Sequence, residues 1–152
     1  MNQASHYVDL VQWFGGEIAS VKSEVATLNR RIECEDTGAA VIRFKSNAIG
    51  VIAVTMLTYP ENVEGSLTLL AEHATIKIGG KALNKLEICK GKHLDITADL
   101  DNTNYEPATV YGNGHGEYYK KLQHYLKSPY HPDAIHGREG LKSLKLLTDI
   151  YQ

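Results

Sequence analysis

The 152-residue chain has few of the features that mark membrane, secreted or nucleic-acid-binding proteins. No apolar run approaches the roughly 20 residues that a membrane-spanning helix needs. The two cysteines, Cys34 and Cys89, have no Cys-x-x-Cys spacing and follow no signal peptide, so we expect reduced, partly buried thiols and a cytoplasmic protein. A net charge of -2 with scattered lysines provides no basic field, which predicts neither a nucleic-acid nor a membrane partner.

Signatures of metal sites, hydrolases and dinucleotide-binding loops are also missing. The histidines at positions 115, 124, 131 and 136 match no zinc spacing, and the acidic residues form no calcium loop. No Gly-x-Ser-x-Gly elbow is present, which argues against a serine hydrolase. No Gly-x-Gly-x-x-Gly occurs either. We therefore predict no metal site.

The pattern of apolar residues predicts one α+β domain. With 43% hydrophobic residues, the chain is long enough for one core and too short for two ordinary domains, so residues 1–152 are expected to form a single domain. Helical spacing marks the two ends of the chain, and β-rich runs mark its middle. The predicted order is a helix over Met1–Gly16, strands over Glu17–Asn29, Ala39–Phe44, Ile49–Tyr59, Glu64–Ala71, Ala74–Ile78, Leu83–Lys90 and Leu94–Ala98, and helices over Gly116–Leu126 and Arg138–Tyr151.

Short connections between the strands predict an open, largely antiparallel sheet with helices packed on one face. The turn formers of Lys45–Ala48 predict a tight hairpin. The nearly continuous apolar run Val51–Leu57 predicts a central strand covered on both faces. Asp99–Thr109 is dense in Asp, Asn, Pro and Thr, which predicts an exposed excursion that is mobile or lies near a ligand.

Each predicted helix carries an apolar stripe that we expect to be buried. The stripes are Tyr7, Leu10, Val11 and Phe14 in the first helix, Tyr118, Leu122 and Tyr125 in the second, and Leu141, Leu144, Leu147 and Tyr151 in the third. In the first helix, a row formed by Asn2, His6, Asp9 and Trp13 runs beside the stripe. We therefore expect His6 to be half buried at the edge of the packed face and still reachable.

A single histidine at a helix start more often donates a hydrogen bond than does chemistry, so position alone leaves the role of His6 open. The pattern Asn2-x-x-x-His6-x-x-Asp9-Leu10-x-x-Trp13, however, resembles the helix that opens the C-terminal domain of the Gfo/Idh/MocA family of NAD(P)-dependent oxidoreductases. The usual family pattern is Asp-x-Gly-x-His-x-x-Asp. The wording Asn-Gln-Ala-Ser-His-Tyr is most similar to the nucleotide-sugar branch, the UDP-N-acetylglucosamine-uronate 3-dehydrogenases of surface-polysaccharide pathways.

The resemblance covers nearly the whole chain and implies a dihydrodipicolinate reductase-like fold whose exposed sheet face mediates homo-oligomers. It implies hydride transfer between NAD or NADP and a UDP-sugar, with His6 as the general base or its helper. Asp9 would orient His6. Asn2, which stands where the family more often has an acidic residue, would hydrogen-bond the sugar, and Gln3 would contact it too.

Two further stretches offer candidate substrate contacts. Gly112–Gly116 places three glycines around His115 before a helix, where free amide groups can receive an anion; an ordinary glycine-rich turn is an equally good interpretation. A similar Gly-His-x-x-Tyr-Tyr wording in the nucleotide-sugar branch favours substrate contact by His115, Tyr118 and Tyr119. Tyr59 follows a strand, where sheets offer side chains to ligands, although an ordinary strand-to-turn transition explains it better.

The N-terminal Rossmann domain of the family, with the lysine of its Glu-Lys-Pro motif, has no counterpart in these residues. We therefore expect no cofactor to bind this chain alone, and no activity without the missing domain. The favoured hypothesis is the C-terminal part of a dehydrogenase. The alternatives are a non-catalytic oligomerisation or sugar-binding module, and a generic α+β ligand-binding domain.

Overall fold

The computed structural model describes residues 4–61, 65–80, 83–92, 104–106, 114–128 and 137–152. Its elements, in chain order, are α1 (Ser5–Gly15), β1 (Ile18–Ala26), β2 (Thr37–Phe44), β3 (Ile49–Thr55), β4 (Leu67–Ala71), β5 (Ala74–Gly79), β6 (Lys85–Gly91), α2 (Gly114–Lys127) and α3 (Gly137–Ile150). Every strand pairing is antiparallel, which confirms the predicted α+β class. The predicted strand over Leu94–Ala98 lies outside the described residues.

The strands form two three-stranded sheets, in the orders β1-β2-β3 and β4-β5-β6. The chain accordingly divides into two compact units. The first combines Met1–Glu61 with Ile135–Gln152, and the second is Asn62–Ala134. Within the part that the structure describes, no helix is long and apolar enough to span a bilayer.

The first unit is built around β2, whose residues alternate between core and solvent. Ala40, Ile42 and Phe44 of β2 are buried. Helices α1 and α3 pack against each other, α1 also contacts β3, and α3 contacts β1. The core cluster is completed by Val8, Ile52, Leu146 and Ile150. This packing leaves the opposite face of the sheet without a covering element among the described residues of this unit.

The hairpin between β2 and β3 forms as predicted. The amide of Phe44 donates to the carbonyl of Ala48 over 3.0 Å, and the amide of Asn47 donates to the carbonyl of Phe44 over 3.0 Å. Asn47 has a φ of 68°, a left-handed conformation that asparagine tolerates. The turn sets Val41 opposite Val51.

The prediction that β3 is a central strand covered on both faces is wrong for the described residues. β3 is hydrogen-bonded to β2 alone in its sheet and therefore lies at the edge. Ile52 is buried, whereas Ile49 and Val51 are 59% and 69% exposed. The run predicted a covered strand because its outward-facing residues are apolar as well. The alternation of apolar and polar residues that marks a strand with one buried face is therefore absent from this sequence.

The predicted stripes of α1 and α3 are buried only in part, with Val11 of the first and Leu147 of the second packed against the core. α1 buries Val8, and Phe14 is 48% exposed. α3 buries Ser143, Leu146 and Ile150 rather than the stripe of Leu141 and Leu144. Apolar residues occur on several sides of both helices, so periodicity could not select the side that packs. α2 has no buried residue within the described chain, contrary to the expected buried stripe that includes Tyr118.

In the second unit, a described piece of the predicted excursion is fixed rather than free. The buried amide side chain of Asn84 donates to the carbonyl of Tyr105, and the amide of Leu86 donates to Asn104 Oδ1 over 2.8 Å. Lys85 pairs with Glu106 over 2.5 Å. Residues 104–106 are therefore attached to the start of β6, and the remainder of Asp99–Thr109 lies outside the described residues.

Candidate functional site

Helix α1 holds His6 on its outward face. At 100° per residue, His6 lies about 160° around the helix from Val8, the residue that points into the core. The structure therefore exposes His6 instead of placing it half buried at the edge of the packed face. An exposed imidazole on a folded helix can meet a ligand that approaches from outside the unit.

The inner side of α1 is fixed by close packing. Val8 lies in the core cluster, and Val11 packs against it. Near the C-terminal end, the ring of Phe44 lies directly over Gly15, which has no side chain to obstruct it. Gly16 then ends the helix with a φ of 82°, and its amide donates to the carbonyl of Gln12 over 2.9 Å. The backbone that carries His6 is thus held along its length.

Asp9 connects α1 to the end of the chain. Its Oδ1 accepts a hydrogen bond from Ser143 Oγ of α3, a residue 134 positions later. Ser143 is 8% exposed whereas Asp9 is exposed, so this bond is partly buried. Asp9 therefore has a defined structural partner, and its predicted role in orienting His6 stays a prediction.

The other predicted site residues fall into three groups. Asn2 and Gln3 lie outside the described residues. Tyr59 follows β3 in the first unit and is 91% exposed. His115, Tyr118 and Tyr119 lie in the first turns of α2 in the second unit, and all three are exposed.

The structure gives two observations on the surroundings of His115, Tyr118 and Tyr119. The rings of Tyr118 and Tyr119 meet edge to face with centroids 5.5 Å apart. Among the described residues, nothing lies within 4 Å of a Cβ added at Gly114 or Gly116, so no described side chain covers the start of α2. Gly112 and Asn113, which belong to the proposed anion-binding turn, lie outside the described residues.

Metal chemistry finds no support in the described ranges, where no three His, Cys, Asp or Glu side chains are grouped to hold an ion. Cys34 is exposed and Cys89 is buried, and both are free thiols.

An internal carboxylate that the sequence did not single out fixes the loop after β1. Asp36 accepts hydrogen bonds from the backbone amides of Arg30, Leu28 and Asn29 at 2.8, 3.0 and 2.9 Å. These donors, Arg30 and Leu28 foremost, lower the pKa of Asp36 from 3.8 to about 2. The same loop meets the end of α3, where Tyr151 donates to Glu35 over 2.6 Å. Partial burial and that bond raise the pKa of Tyr151 to about 12. Asp36 is therefore structural.

Comparison with known proteins identifies the relatives of this chain. Residues 1–77 match the model of the GFO/IDH/MocA C-terminal domain. The crystal structure of the WlbA dehydrogenase from Bordetella pertussis, in complex with NADH and UDP-GlcNAcA, is 49% identical with a TM-score of 0.88, and the match covers 99% of this chain and 44% of that chain. The WlbA dehydrogenase from Chromobacterium violaceum, in complex with the same two ligands, is 40% identical with a TM-score of 0.83 over 99% of this chain and 42% of that chain.

A more distant structure shows the shared fold alone. GenD2 from gentamicin A biosynthesis, in complex with NAD, is 15% identical with a TM-score of 0.72 over 99% of this chain and 44% of that chain. The chain therefore spans less than half the length of these relatives. None of the curated proteins matches it.

Proposed function

Because the chain belongs to the GFO/IDH/MocA C-terminal domain family, we propose that it is the substrate-binding and oligomerisation part of an NAD-dependent dehydrogenase. The substrate we propose is a UDP-N-acetyl-hexuronate, oxidised at a ring hydroxyl in surface-polysaccharide biosynthesis. The observation that carries the proposal is an outward-facing histidine on a fixed helix, in a chain 49% identical to a dehydrogenase solved with NADH and UDP-GlcNAcA. The NADH in both WlbA complexes favours NAD over NADP.

The chemistry that we assign to this chain is proton removal. The nicotinamide, when bound, supplies the acceptor for the hydride that leaves the carbinol carbon. The imidazole of His6 takes the proton of the hydroxyl group as the carbonyl forms. Asn2 and Gln3 hydrogen-bond the sugar, and the amide of Asn2 positions it without adding charge. Asp9, which Ser143 holds in place, supports the helix that carries the base.

Substrate contacts beyond α1 belong to the same proposal. We assign Tyr59, His115, Tyr118 and Tyr119 to the UDP-sugar, since all four are exposed. The open start of α2 around Gly114 and Gly116 suits an anionic group such as a pyrophosphate. A cytoplasmic location accords with the two free thiols.

The outer face of the β1-β2-β3 sheet supports the oligomerisation role. Val41 and Val51 sit opposite each other and are 50% and 69% exposed, and Ala39 and Ala53 form the next pair on the same face. These exposed apolar pairs, bordered by Lys22 and Glu24 of β1, form a surface that a second copy can cover. We therefore assign this sheet face to a homo-oligomer interface.

Two measurements test the proposed function. The first is calorimetric titration of the 152-residue chain with UDP-GlcNAcA. The second uses a full-length chain in which the N-terminal part of the Bordetella relative precedes residue 1, assayed for NADH formation from UDP-GlcNAcA and NAD.

In that full-length chain we expect His6→Ala to lower kcat about 10²- to 10⁴-fold with little change in KM, because a general base acts in the transition state. His73→Ala is the matched control, since His73 is another exposed histidine, 65% exposed at the turn after β4, and it should leave kcat unchanged. Undiminished turnover by the His6→Ala variant would refute the catalytic role. Binding of UDP-GlcNAcA without any turnover in the folded full-length chain would favour the non-catalytic sugar-binding module.

A further inference from the structure

Trp13 is the single tryptophan of the sequence, and the structure leaves its side chain in solvent. It is 68% exposed. Leaving a large indole ring in water is unfavourable on a surface that has no partner. Tryptophan is also enriched among the residues that contribute most to the binding energy of protein interfaces.

Trp13 shares the outward face of α1 with His6. Trp13 lies seven positions after His6, which corresponds to about two helical turns and about 10.5 Å along the axis. Around the helix, Trp13 lies about 140° from the buried Val8, within about 20° of His6. Whatever covers His6 during catalysis therefore approaches the surface on which Trp13 stands.

The occupant of that surface follows from the chemistry of the proposed function, on which this inference rests. This chain has no Gly-x-Gly-x-x-Gly motif and spans 44% of the Bordetella relative, which was solved with NADH. Hydride transfer requires the nicotinamide and the sugar carbon to be in contact beside His6. The part of the relative that this chain does not span must therefore bring the dinucleotide to the outward face of α1.

We propose that Trp13 is a positioning residue that anchors the dinucleotide-binding portion of the parent enzyme against α1. The indole contacts that portion about two turns from the base, so that the nicotinamide is held at His6. Trp13 itself touches neither the hydride nor the proton.

The indole reports its own environment. In the 152-residue chain, Trp13 is the only tryptophan emitter, and we expect emission at the wavelength of a water-exposed indole with full quenching by acrylamide. In the full-length chain described above, the Trp13 signal is obtained by subtracting the spectrum of a Trp13→Phe variant. We expect a blue shift and a quenching constant lower by about threefold or more, because an anchoring aromatic is desolvated at the centre of an interface.

Kinetics of the full-length chain supply a readout that a merely structural residue would not give. Trp13→Ala should lower kcat about tenfold and leave the KM values for NAD and UDP-GlcNAcA within about twofold, since each half still binds its own ligand while fewer molecules hold the two ligands together. Phe14→Ala is the control. Phe14 is also an exposed aromatic on α1, 48% exposed, but it lies about 100° around the helix from Trp13.

Several outcomes overturn the proposal. An active full-length chain whose Trp13 stays as exposed as in the 152-residue chain refutes it and leaves the proposed function intact. Shielding of Trp13 in the 152-residue chain on raising its concentration would assign the face to a second copy, and shielding by UDP-GlcNAcA alone would assign it to the nucleotide. Equal losses of kcat in the Trp13→Ala and Phe14→Ala variants would also refute a face-specific anchor. A shielded Trp13 in a full-length chain that does not oxidise UDP-GlcNAcA would instead refute the proposed activity.

Discussion

Gly15→Ala tests how closely the His6 helix must approach the sheet. The side chain of an alanine at position 15 would overlap ring atoms Cε1 and Cζ of Phe44. Phe44 is 4% exposed, and its ring also lies close to Gly50, where an added Cβ would come within 3.1 Å of Cε2. The ring therefore has no open side into which it could move, and the helix or the strand must shift instead.

The expected loss of stability combines two opposing effects. Forcing an extra methyl group into a filled core costs about 1–3 kcal/mol. Alanine in place of glycine near a helix end recovers about 0.5–1 kcal/mol, because the unfolded chain has less backbone freedom to lose. The net loss is then about 1–2 kcal/mol, which for a chain of this size lowers Tm by about 3–6 °C.

Thermal unfolding followed by circular dichroism measures this loss, and a double-mutant cycle with Phe44→Leu assigns its cause. We expect the Gly15→Ala penalty to shrink by about 1 kcal/mol in the Phe44→Leu background, because the overlapping ring atoms are gone. Gly16→Ala is the control, since an added Cβ there meets nothing within 4 Å but the φ of 82° strains any L-residue. Its penalty should be the same in both backgrounds. A Gly15→Ala chain as stable as the parent chain, or a penalty that Phe44→Leu leaves unchanged, would refute the argument.

Two further changes test the pH dependence of stability and the sheet face. In the native state the pKa of Asp36 is lowered from 3.8 to about 2, so its contribution is complete above about pH 4 and is lost as pH falls from about 4 to about 2. Asp36→Asn should therefore destabilise the chain to urea near neutral pH and make little difference at about pH 2; an equal difference at both pH values would contradict this reasoning. Val51→Lys, at a site 69% exposed, should leave the monomer folded but dissociate the homo-oligomer that we propose, as measured by size-exclusion chromatography with light scattering, since a charged side chain would be buried without a partner. Lys145→Glu, on α3 and 74% exposed, is its charged control away from the sheet, and an unchanged oligomer in the Val51→Lys chain would assign the interface elsewhere.

Local patterns in the sequence predict the elements well because they depend on neighbouring residues. Gly15 and Gly16 end the first helix where expected, and the hairpin at Lys45–Ala48 forms. Contacts between residues that are distant in the sequence could not be predicted in this way. The bond from Ser143 to Asp9 joins residues 134 positions apart, and no periodicity within either helix reveals it. The carboxylate of Asp36 could be identified as an acidic residue, but its three amide donors depend on how the preceding loop folds back.

The errors in predicting helix and strand faces share one physical cause. The periodicity of apolar residues does not distinguish a side chain that packs in the core of its own unit from one that is exposed on the surface of that unit. Val51 on β3 and Leu141 and Leu144 on α3 are apolar residues with predicted burial, and all three are more than half exposed. Exposed apolar side chains contribute no hydrophobic stabilisation to an isolated domain. Their presence on the surface therefore indicates contact with a partner.

The distribution of these residues constrains the partners. The outer sheet face carries the exposed apolar pairs Val41/Val51 and Ala39/Ala53, which suit a copy of the same surface, whereas the outward face of α1 carries the exposed Trp13 and His6. A symmetric interface presents the same patch twice and on this face would bury both copies of His6, out of reach of a substrate. The α1 face is therefore better suited to a different partner. In our proposals the sheet face binds a second copy and the α1 face binds the dinucleotide-binding portion, so the two surfaces can be occupied at the same time. Val51→Lys and Trp13→Ala should accordingly act independently, the first on the oligomeric state and the second on kcat.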